Sequence, residues 1–227
     1  MSKTRLVFIL FLLSLFPTTI TPGFAHAPDG TFDALLRAAP RVTPRALLMA
    51  LTALERLQLA GARVRSDRLM VIDYGKPSSE PRLWVFDLAF KRLLFEEPVA
   101  HGRNSGGERA VRFSNDTGSL MSSLGVFLTA ETYTGKHGLS LKLRGMEEGI
   151  NDQSMKRAIV IHGANYVRRS GHIGRSWGCP AVRPEISDVL IDSVRGGTLL
   201  LAYYPDLSWL KRSALTGTTL TDTMSSR

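Results

Sequence analysis

Apolar residues recur at helical spacing in one segment near the start of the chain. Leucines stand at positions 47, 48, 51, 54 and 57, after Thr43 and Pro44 and before Gly61. Threonine caps helix starts, proline suits the first helical turn and glycine ends helices, so the pattern predicts a helix from Pro44 to the residues before Gly61. Its polar face holds too few basic residues to bind anionic lipid, so we assign the leucine stripe to core packing.

After Arg65 the pattern changes to short runs rich in β-branched and aromatic residues, separated by glycine, serine, asparagine and proline. Such runs predict strands, and the second and third of them predict a hairpin. A short amphipathic helix is predicted at 184–194. The predicted fold class is mainly β with a few helices. The predicted strands cover 69–74, 83–90, 92–100, 126–133, 139–143, 158–162 and 199–204.

The chain divides into four predicted parts. Residues 1–25 precede a lead-in and helix at 26–64, a catalytic domain at 65–212 and a flexible tail at 213–227. The lead-in is rich in proline and alanine, and we expect only a short helical turn at 32–38 before the main helix. The tail is rich in threonine and serine without apolar periodicity, which is typical of a disordered or loosely packed end.

Residues 1–25 have the pattern of a secretory signal peptide. Lys3 and Arg5 precede an apolar run at 6–16, and small residues then lead to a predicted cleavage site after Ala25. We therefore expect an exported protein. The alternative is an N-terminal membrane anchor, for which the apolar run is short, because about 20 apolar residues are needed to cross a bilayer.

Composition is that of an ordinary soluble domain. The 227 residues are 44% hydrophobic and 22% charged, which disfavours a disordered, collagen-like or multi-span membrane protein. The formal charge of +9 favours contact with polyanions. The basic residues are scattered, so nucleic-acid binding has no support beyond charge, and attraction to an acidic cell wall or membrane surface explains the excess better.

The chain has a single cysteine, Cys179. One cysteine alone cannot form an intrachain disulfide, a cysteine zinc cluster or a CxxC redox pair. An unpaired thiol is unusual in an oxidising compartment, which suggests that it has a function; the alternative is a buried, inert cysteine.

Reactive side chains concentrate between residues 158 and 182. An apolar run delivers His162 at its end, and a glycine-rich segment then places Cys179 between Gly178 and Pro180. An imidazole near a thiol raises the thiolate fraction, and successive N–H groups around Gly178 could stabilise an oxyanion. The 17-position separation of the histidine and the cysteine is weak evidence by itself.

The segment resembles the active-site motif of the bacterial YkuD-like L,D-transpeptidase catalytic domain. In that family a His-Gly pair is followed, after a loop, by Ser/Thr-His-Gly-Cys; here the two parts are His162-Gly163 and Ser176-Trp177-Gly178-Cys179. The flanking segments resemble a divergent branch that carries Ser-x-Gly-Cys-Pro-Ala, and the likeness spans about 69–204. The departure is Trp177, which stands where the commoner branch has histidine.

The resemblance implies a β-sandwich or mixed-sheet catalytic domain and a periplasmic enzyme that cross-links peptidoglycan stem peptides through a cysteine acyl-enzyme. It implies that Cys179 is the nucleophile and His162 the general base. The amides of Gly178 and Cys179 would form the oxyanion hole, and Ser176 would brace the turn. Trp177 would line the cleft, contact sugar or peptide, or only pack. The further predicted substrate contacts are Arg175, Lys136, His137 and Gly163.

Several alternatives stay open on the sequence. Hydrolysis of the same thioester would make the protein an L,D-carboxypeptidase or amidase, and a silent site would make it a peptidoglycan-binding module. No cofactor is predicted. His162, His172 and Cys179 lack the compact spacing of zinc motifs, so no metal is predicted either. Glu147 and Glu148 are adjacent and do not suggest a paired-carboxylate hydrolase. We expect a monomer that acts on stem peptides and glycan.

Overall fold

The computed structural model describes residues 30–169 and 171–217. The predicted signal peptide and residues 218–227 of the predicted tail lie outside these ranges. Within them, no helix is long and apolar enough to span a membrane. The helices are α1 (Thr31–Ala38), α2 (Pro44–Leu59), α3 (Pro184–Val194) and α4 (Leu207–Arg212). The strands are β1 (Arg68–Asp73), β2 (Leu83–Asp87), β3 (Arg92–Glu97), β4 (Gly125–Gly135), β5 (Gly138–Gly145), β6 (Val160–Gly163), β7 (Ala181–Val182) and β8 (Leu199–Tyr203).

These strands form one mixed sheet in the order β3-β2-β1-β8-β4-β5-β6-β7. β1 pairs parallel with β8, and β6 pairs parallel with β7, whereas the other neighbours are antiparallel. The predicted mainly β fold class is confirmed. The predicted hairpin is present as β2 and β3, and the predicted helix at 184–194 is α3.

The centre of the sheet is buried along its whole length. Every residue of β2 and β8 and nearly every residue of β1 is buried, which fits their continuous apolar runs. α2 packs on β1 and β8 and buries leucines of its predicted stripe, such as Leu47 and Leu54. This packing fixes β8, from which β4, β5 and β6 extend toward the reactive residues.

The N-terminal lead-in is more structured than the sequence suggested. A helix, α1, begins at Thr31 where only a short turn was expected, and its Leu35 is fully buried. α1 packs against α2 and β3. After α1, the guanidinium of Arg41 donates two hydrogen bonds to the carboxylate of Glu96, at 2.9 and 2.6 Å. These contacts join the segment to the sheet.

Hydrogen bonds hold residues 213–217, the first residues of the predicted tail. The Ser213 hydroxyl donates to Glu147, whose other carboxylate oxygen accepts from the N–H of Val126 at 2.6 Å. Ser213 also accepts from the N–H of Thr216. The guanidinium of Arg56 on α2 donates to two carbonyl oxygens of the same segment. Side chains far away in sequence therefore hold a segment that has no apolar pattern of its own.

The Ser213 contact gives a stability prediction. Ser213→Ala leaves a buried oxygen of Glu147 without its hydroxyl donor, and we expect a loss of about 1–3 kcal/mol in the free energy of unfolding. Urea unfolding followed by circular dichroism measures this loss. Ser208→Ala, at an exposed position of α4, is the matched control. Equal unfolding midpoints for the two variants would contradict the structural role of Ser213.

Candidate active site

The two residues singled out by the motif are brought together by β6 and β7. His162 lies in β6, opposite Ser140 of β5 and Ala181 of β7. Cys179 precedes Ala181 by two residues, so the pairing of β7 with β6 places the cysteine alongside the strand that carries the histidine. The histidine and the cysteine therefore lie near each other at the edge of a rigid sheet, where reactive groups are commonly presented.

The sulfur of Cys179 contacts backbone at the start of β6. The N–H of Val160 donates to Sγ at 3.4 Å, and the thiol donates to the carbonyl oxygen of Ala158 at 3.6 Å. Val160 and His162 are two residues apart, a separation of about 7 Å along a strand. Within the described residues, these two backbone contacts hold the thiol, and no hydrogen bond joins it to the His162 imidazole. Contacts between nucleophile and base are often long until substrate binds.

Cys179 is half-buried, not enclosed in the hydrophobic interior. Burial raises the pKa of its thiol, while the Val160 N–H and the charges of Arg157 and Lys136 lower that pKa. The balance is a pKa above the ordinary value. The residue therefore rests as a thiol at neutral pH and needs a base to become a strong nucleophile.

His162 has one ring nitrogen that is free to accept a proton. Its Nδ1–H donates to the carbonyl oxygen of Gly163 at 2.9 Å, because the other partner is an acceptor only. This bond fixes the tautomer and leaves the lone pair on Nε2. Burial lowers the pKa of His162; the Gly163 contact opposes this, and nearby His137 and Lys136 lower the pKa further. The imidazole is therefore neutral at physiological pH and able to accept a proton.

The turn before the cysteine is braced as predicted, but its amides differ from the prediction. The Ser176 hydroxyl donates to the carbonyl oxygen of Cys179 at 2.6 Å and accepts from the N–H of Gly178 at 3.1 Å. The Gly178 N–H is therefore occupied, which does not fit its predicted role in the oxyanion hole. The Cys179 N–H forms no hydrogen bond within the described ranges and stays available for an oxyanion.

Gly178 has a steric role instead. Its φ of 126° lies in the region that favours glycine, and a Cβ there would lie 2.7 Å from the carbonyl oxygen of Met121 and 3.1 Å from the side chain of Ile159. Any other residue would be strained and crowded at this position. Because it has no side chain, Gly178 lets the turn pass close to the backbone at Met121.

Two residues that the sequence reasoning missed support this turn. The Ser122 hydroxyl donates to the carbonyl oxygen of Gly178 at 3.1 Å and accepts from the N–H of Gly102 at 3.0 Å. Arg157 donates to the carbonyl oxygen of Met121 at 2.6 Å, and its charge lowers the pKa of the Cys179 thiol. The segment that begins at Ser122 contributed to the family resemblance, and this resemblance was the signal that could have identified Ser122. No signal in the sequence pointed to Arg157.

The tip of the β4–β5 hairpin covers the site. The His137 ring stacks on the His162 ring, with centroids 4.4 Å apart and an interplanar angle of 26°. The Lys136 ammonium lies 5.2 Å from the centre of the Trp177 ring. Trp177 is 67% exposed, so its ring does not lie in the interior. The predicted contacts Lys136, His137 and Trp177 therefore all lie beside the base or the cysteine turn.

Two other predicted substrate contacts occupy structural positions. Arg175 donates to the backbone carbonyl oxygens of Ile173, Gly174 and Gly107, so its guanidinium holds its own loop. A Cβ on Gly163 would lie 2.8 Å from the Ser187 hydroxyl of α3. Gly163 thus allows α3 to pack closely, and its carbonyl oxygen orients His162. Neither position presents a side chain to a cleft.

Other chemistries find no support in the geometry. Within residues 30–169 and 171–217, no three histidine, cysteine, aspartate or glutamate side chains come close enough to hold a metal ion. Glu147 is buried in the contacts that fix β4, whereas Glu148 is exposed. His101 is fully buried, and burial together with Arg82 and Arg175 lowers its pKa to about 3. It is therefore neutral and stabilises the loop.

The position of Lys136 predicts a change in the pH dependence of thiol reactivity. Lys136 lowers the pKa of Cys179, so Lys136→Met raises that pKa and shifts the alkylation profile to higher pH. The shift should be small, because this charge acts across a partly solvated gap. The rate of iodoacetamide labelling, measured by intact mass across pH, reports on Cys179 alone because the chain has one cysteine.

Lys211→Met, at an exposed position of α4, is the matched control and should leave the profile unchanged. A profile for Lys136→Met that superimposes on that of the parent protein would show that Lys136 does not act on the sulfur. An equal upward shift in both variants would show that only net charge matters.

Solved structures to which the chain is similar include two L,D-transpeptidases and a cell shape determining protein. An L,D-transpeptidase from Mycobacterium smegmatis is 14% identical, with 61% of this chain and 59% of that chain covered and a TM-score of 0.39. The helical cell shape determining protein Pgp2 from Campylobacter jejuni is 10% identical over 62% and 49%, with a TM-score of 0.41. An L,D-transpeptidase from Xylanimonas cellulosilytica is 16% identical over 70% and 80%, with a TM-score of 0.35.

The chain spans about three fifths of the length of the first of these structures. No curated protein matches it. The model of the L,D-transpeptidase catalytic domain matches residues 38–203, which include α2, all eight strands of the described sheet, and both halves of the His-Gly and Ser-x-Gly-Cys motif. The chain therefore belongs to the L,D-transpeptidase catalytic domain family.

Proposed function

We propose that this protein is a peptidoglycan L,D-transpeptidase that forms a Cys179 acyl-enzyme and passes the acyl group to an amine of a second stem peptide. The observation that carries the proposal is the state of His162. Its Nδ1–H is fixed on the Gly163 carbonyl oxygen, so Nε2 is a neutral proton acceptor on the strand that also holds the sulfur. A thiol with a raised pKa requires such a base.

The first half of the reaction forms the thioester. Nε2 of His162 takes the thiol proton while Sγ forms a bond to the carbonyl carbon of the stem peptide. The Cys179 N–H donates to the developing oxyanion. Collapse of the intermediate breaks the C–N bond, and the imidazolium gives its proton to the departing amine of the D-residue.

The second half transfers the acyl group. The amine of the acceptor stem attacks the thioester carbon and gives a proton to Nε2, a C–N bond forms and the C–S bond breaks. The proton returns to the sulfur, which restores the thiol. The half-buried cysteine beneath the hairpin tip favours an amine over water, because an acceptor held in a covered cleft is correctly oriented and water is partly excluded.

The surroundings of the pair support a peptidoglycan substrate. The exposed indole of Trp177 offers an apolar face to sugar or peptide, and Lys136 beside it can bind a carboxylate. The proposal assigns the protein to the periplasm, where the predicted signal peptide would direct it and where its excess of positive charge would attract an acidic wall.

Incubation with purified stem tetrapeptides tests the proposal. Mass spectrometry should detect cross-linked dimers that have lost one D-residue, together with a transient thioester on the protein. Cys179→Ala should abolish both because it removes the nucleophile, and its circular dichroism should match the parent protein. Lys211→Met is a control that should retain the activity.

Each other outcome has a clear meaning. Tripeptide without dimers would replace transfer to an amine with hydrolysis and make the protein an L,D-carboxypeptidase. Equal product from Cys179→Ala and the parent would refute the cysteine mechanism. Binding of stem peptide without any product would make the protein a binding module.

A further inference from the structure

A cavity of about 360 Å³ opens beyond the ends of β6 and β7. β6 and β7 both lead to this cavity. Gly163 of β6 pairs with Val182 of β7, and the N–H of Ala164 donates to the carbonyl oxygen of Val182 at 2.9 Å. Asn165 and Arg183 therefore emerge side by side. Asn165 follows His162 by three residues, so the cavity begins within about 10 Å of the base.

One wall of the cavity is fixed and electrically neutralised. Arg183 donates two hydrogen bonds of 2.8 Å to the carboxylate of Glu97 and lies 3.4 Å from Glu185. A guanidinium held in this bidentate way has little capacity left for a ligand.

Two further arginines line the cavity and have no ionic partner in the described part of the chain. Arg168 and Arg169 are exposed, line the cavity, and form no hydrogen bond or ion pair with any residue in the described part of the chain. Each guanidinium presents its donors to whatever enters the cavity. An anion between them would meet two charge-assisted donors.

The loop that carries these arginines is anchored. Val167 is buried against Ala164, Ile173 and Ala181, and its N–H donates to the carbonyl oxygen of Ala164 at 2.9 Å. The carbonyl oxygen of Tyr166 accepts from the N–H of Gly174 at 2.8 Å. The backbone on the near side of Arg168 is therefore fixed to the sheet, so the arginines project from a supported base.

We propose that Arg168 and Arg169 form a carboxylate-binding subsite that holds an acidic group of the stem peptide while its carbonyl carbon reacts at Cys179. The cavity begins just after β6, the strand that carries His162, and the hairpin tip with Lys136 and His137 lies against the same part of the site. Positive charge therefore stands at two places near the proposed catalytic pair. A peptide that carries more than one carboxylate matches this arrangement. The inference rests on the proposed function.

The test measures binding separately from reaction. Isothermal titration of Cys179→Ala protein with a stem tetrapeptide gives a Kd that does not depend on turnover. Adding Arg168→Ala and Arg169→Ala to that protein should raise the Kd about ten- to hundredfold, because two charge-assisted hydrogen bonds are lost. The matched control adds Arg37→Ala and Arg63→Ala, which change net charge equally at exposed positions outside the cavity. It should leave the Kd nearly unchanged.

A tetrapeptide with amidated carboxyl groups identifies the ligand chemistry. It should bind weakly to the Cys179→Ala protein and lose nothing further when the two cavity arginines are removed. An unchanged Kd for the acidic peptide, an equal loss in the control pair, or an equal loss with the amidated peptide would each overturn the subsite.

The two proposals fail in different ways. Cross-linked dimers from the parent protein together with an unchanged Kd in the arginine variant would remove the subsite and leave the transpeptidase proposal intact. Weakened binding of the acidic peptide in the arginine variant, together with no product from the parent protein, would keep the subsite and remove the transpeptidase. A tetrapeptide that does not bind at all would remove the subsite.

Discussion

The site depends on the parallel pairing of β6 with the two-residue strand β7. Ala181 lies opposite His162 on one side, and on the other its carbonyl oxygen accepts from the N–H of Ala100 at 2.9 Å. Contacts on both sides therefore fix the backbone two residues after Cys179. The Ser176 hydroxyl and the Ser122 hydroxyl then hold the turn itself. Without this pairing the cysteine would lie on a loop with no defined distance from the histidine.

The electrostatics of the pair favour a neutral resting state. Burial raises the pKa of the Cys179 thiol and lowers the pKa of His162, so both shifts oppose a thiolate and imidazolium ion pair. The positive charges of Arg157 and Lys136 act in the other direction on the sulfur. In the proposed reaction, proton transfer therefore accompanies attack on the substrate, and the resting thiol is less exposed to oxidation than a stable thiolate would be.

The elements that could be predicted from the sequence are those that follow from local hydrophobic patterns or from a motif. The leucine stripe predicted α2, and the amphipathic run predicted α3 over the residues that the structure assigns to it. Contacts between distant segments could not be predicted. Ser122 and Gly178 are 56 positions apart, and Ser213 and Glu147 are 66 apart. A serine that bonds to a distant carbonyl or carboxylate leaves no periodic signal, so both the turn support and the ordered start of the tail were missed.

The position of Trp177 explains how the motif tolerates a residue without an imidazole. Its neighbours Ser176 and Gly178 bond to each other inside the turn, whereas the indole projects to the exposed side and meets Lys136 of the hairpin. In the proposed reaction the proton acceptor is His162, and its tautomer is set by Gly163, to which Trp177 contributes nothing. In that reaction the tryptophan alters the surface that the substrate contacts and leaves the route of the proton unchanged.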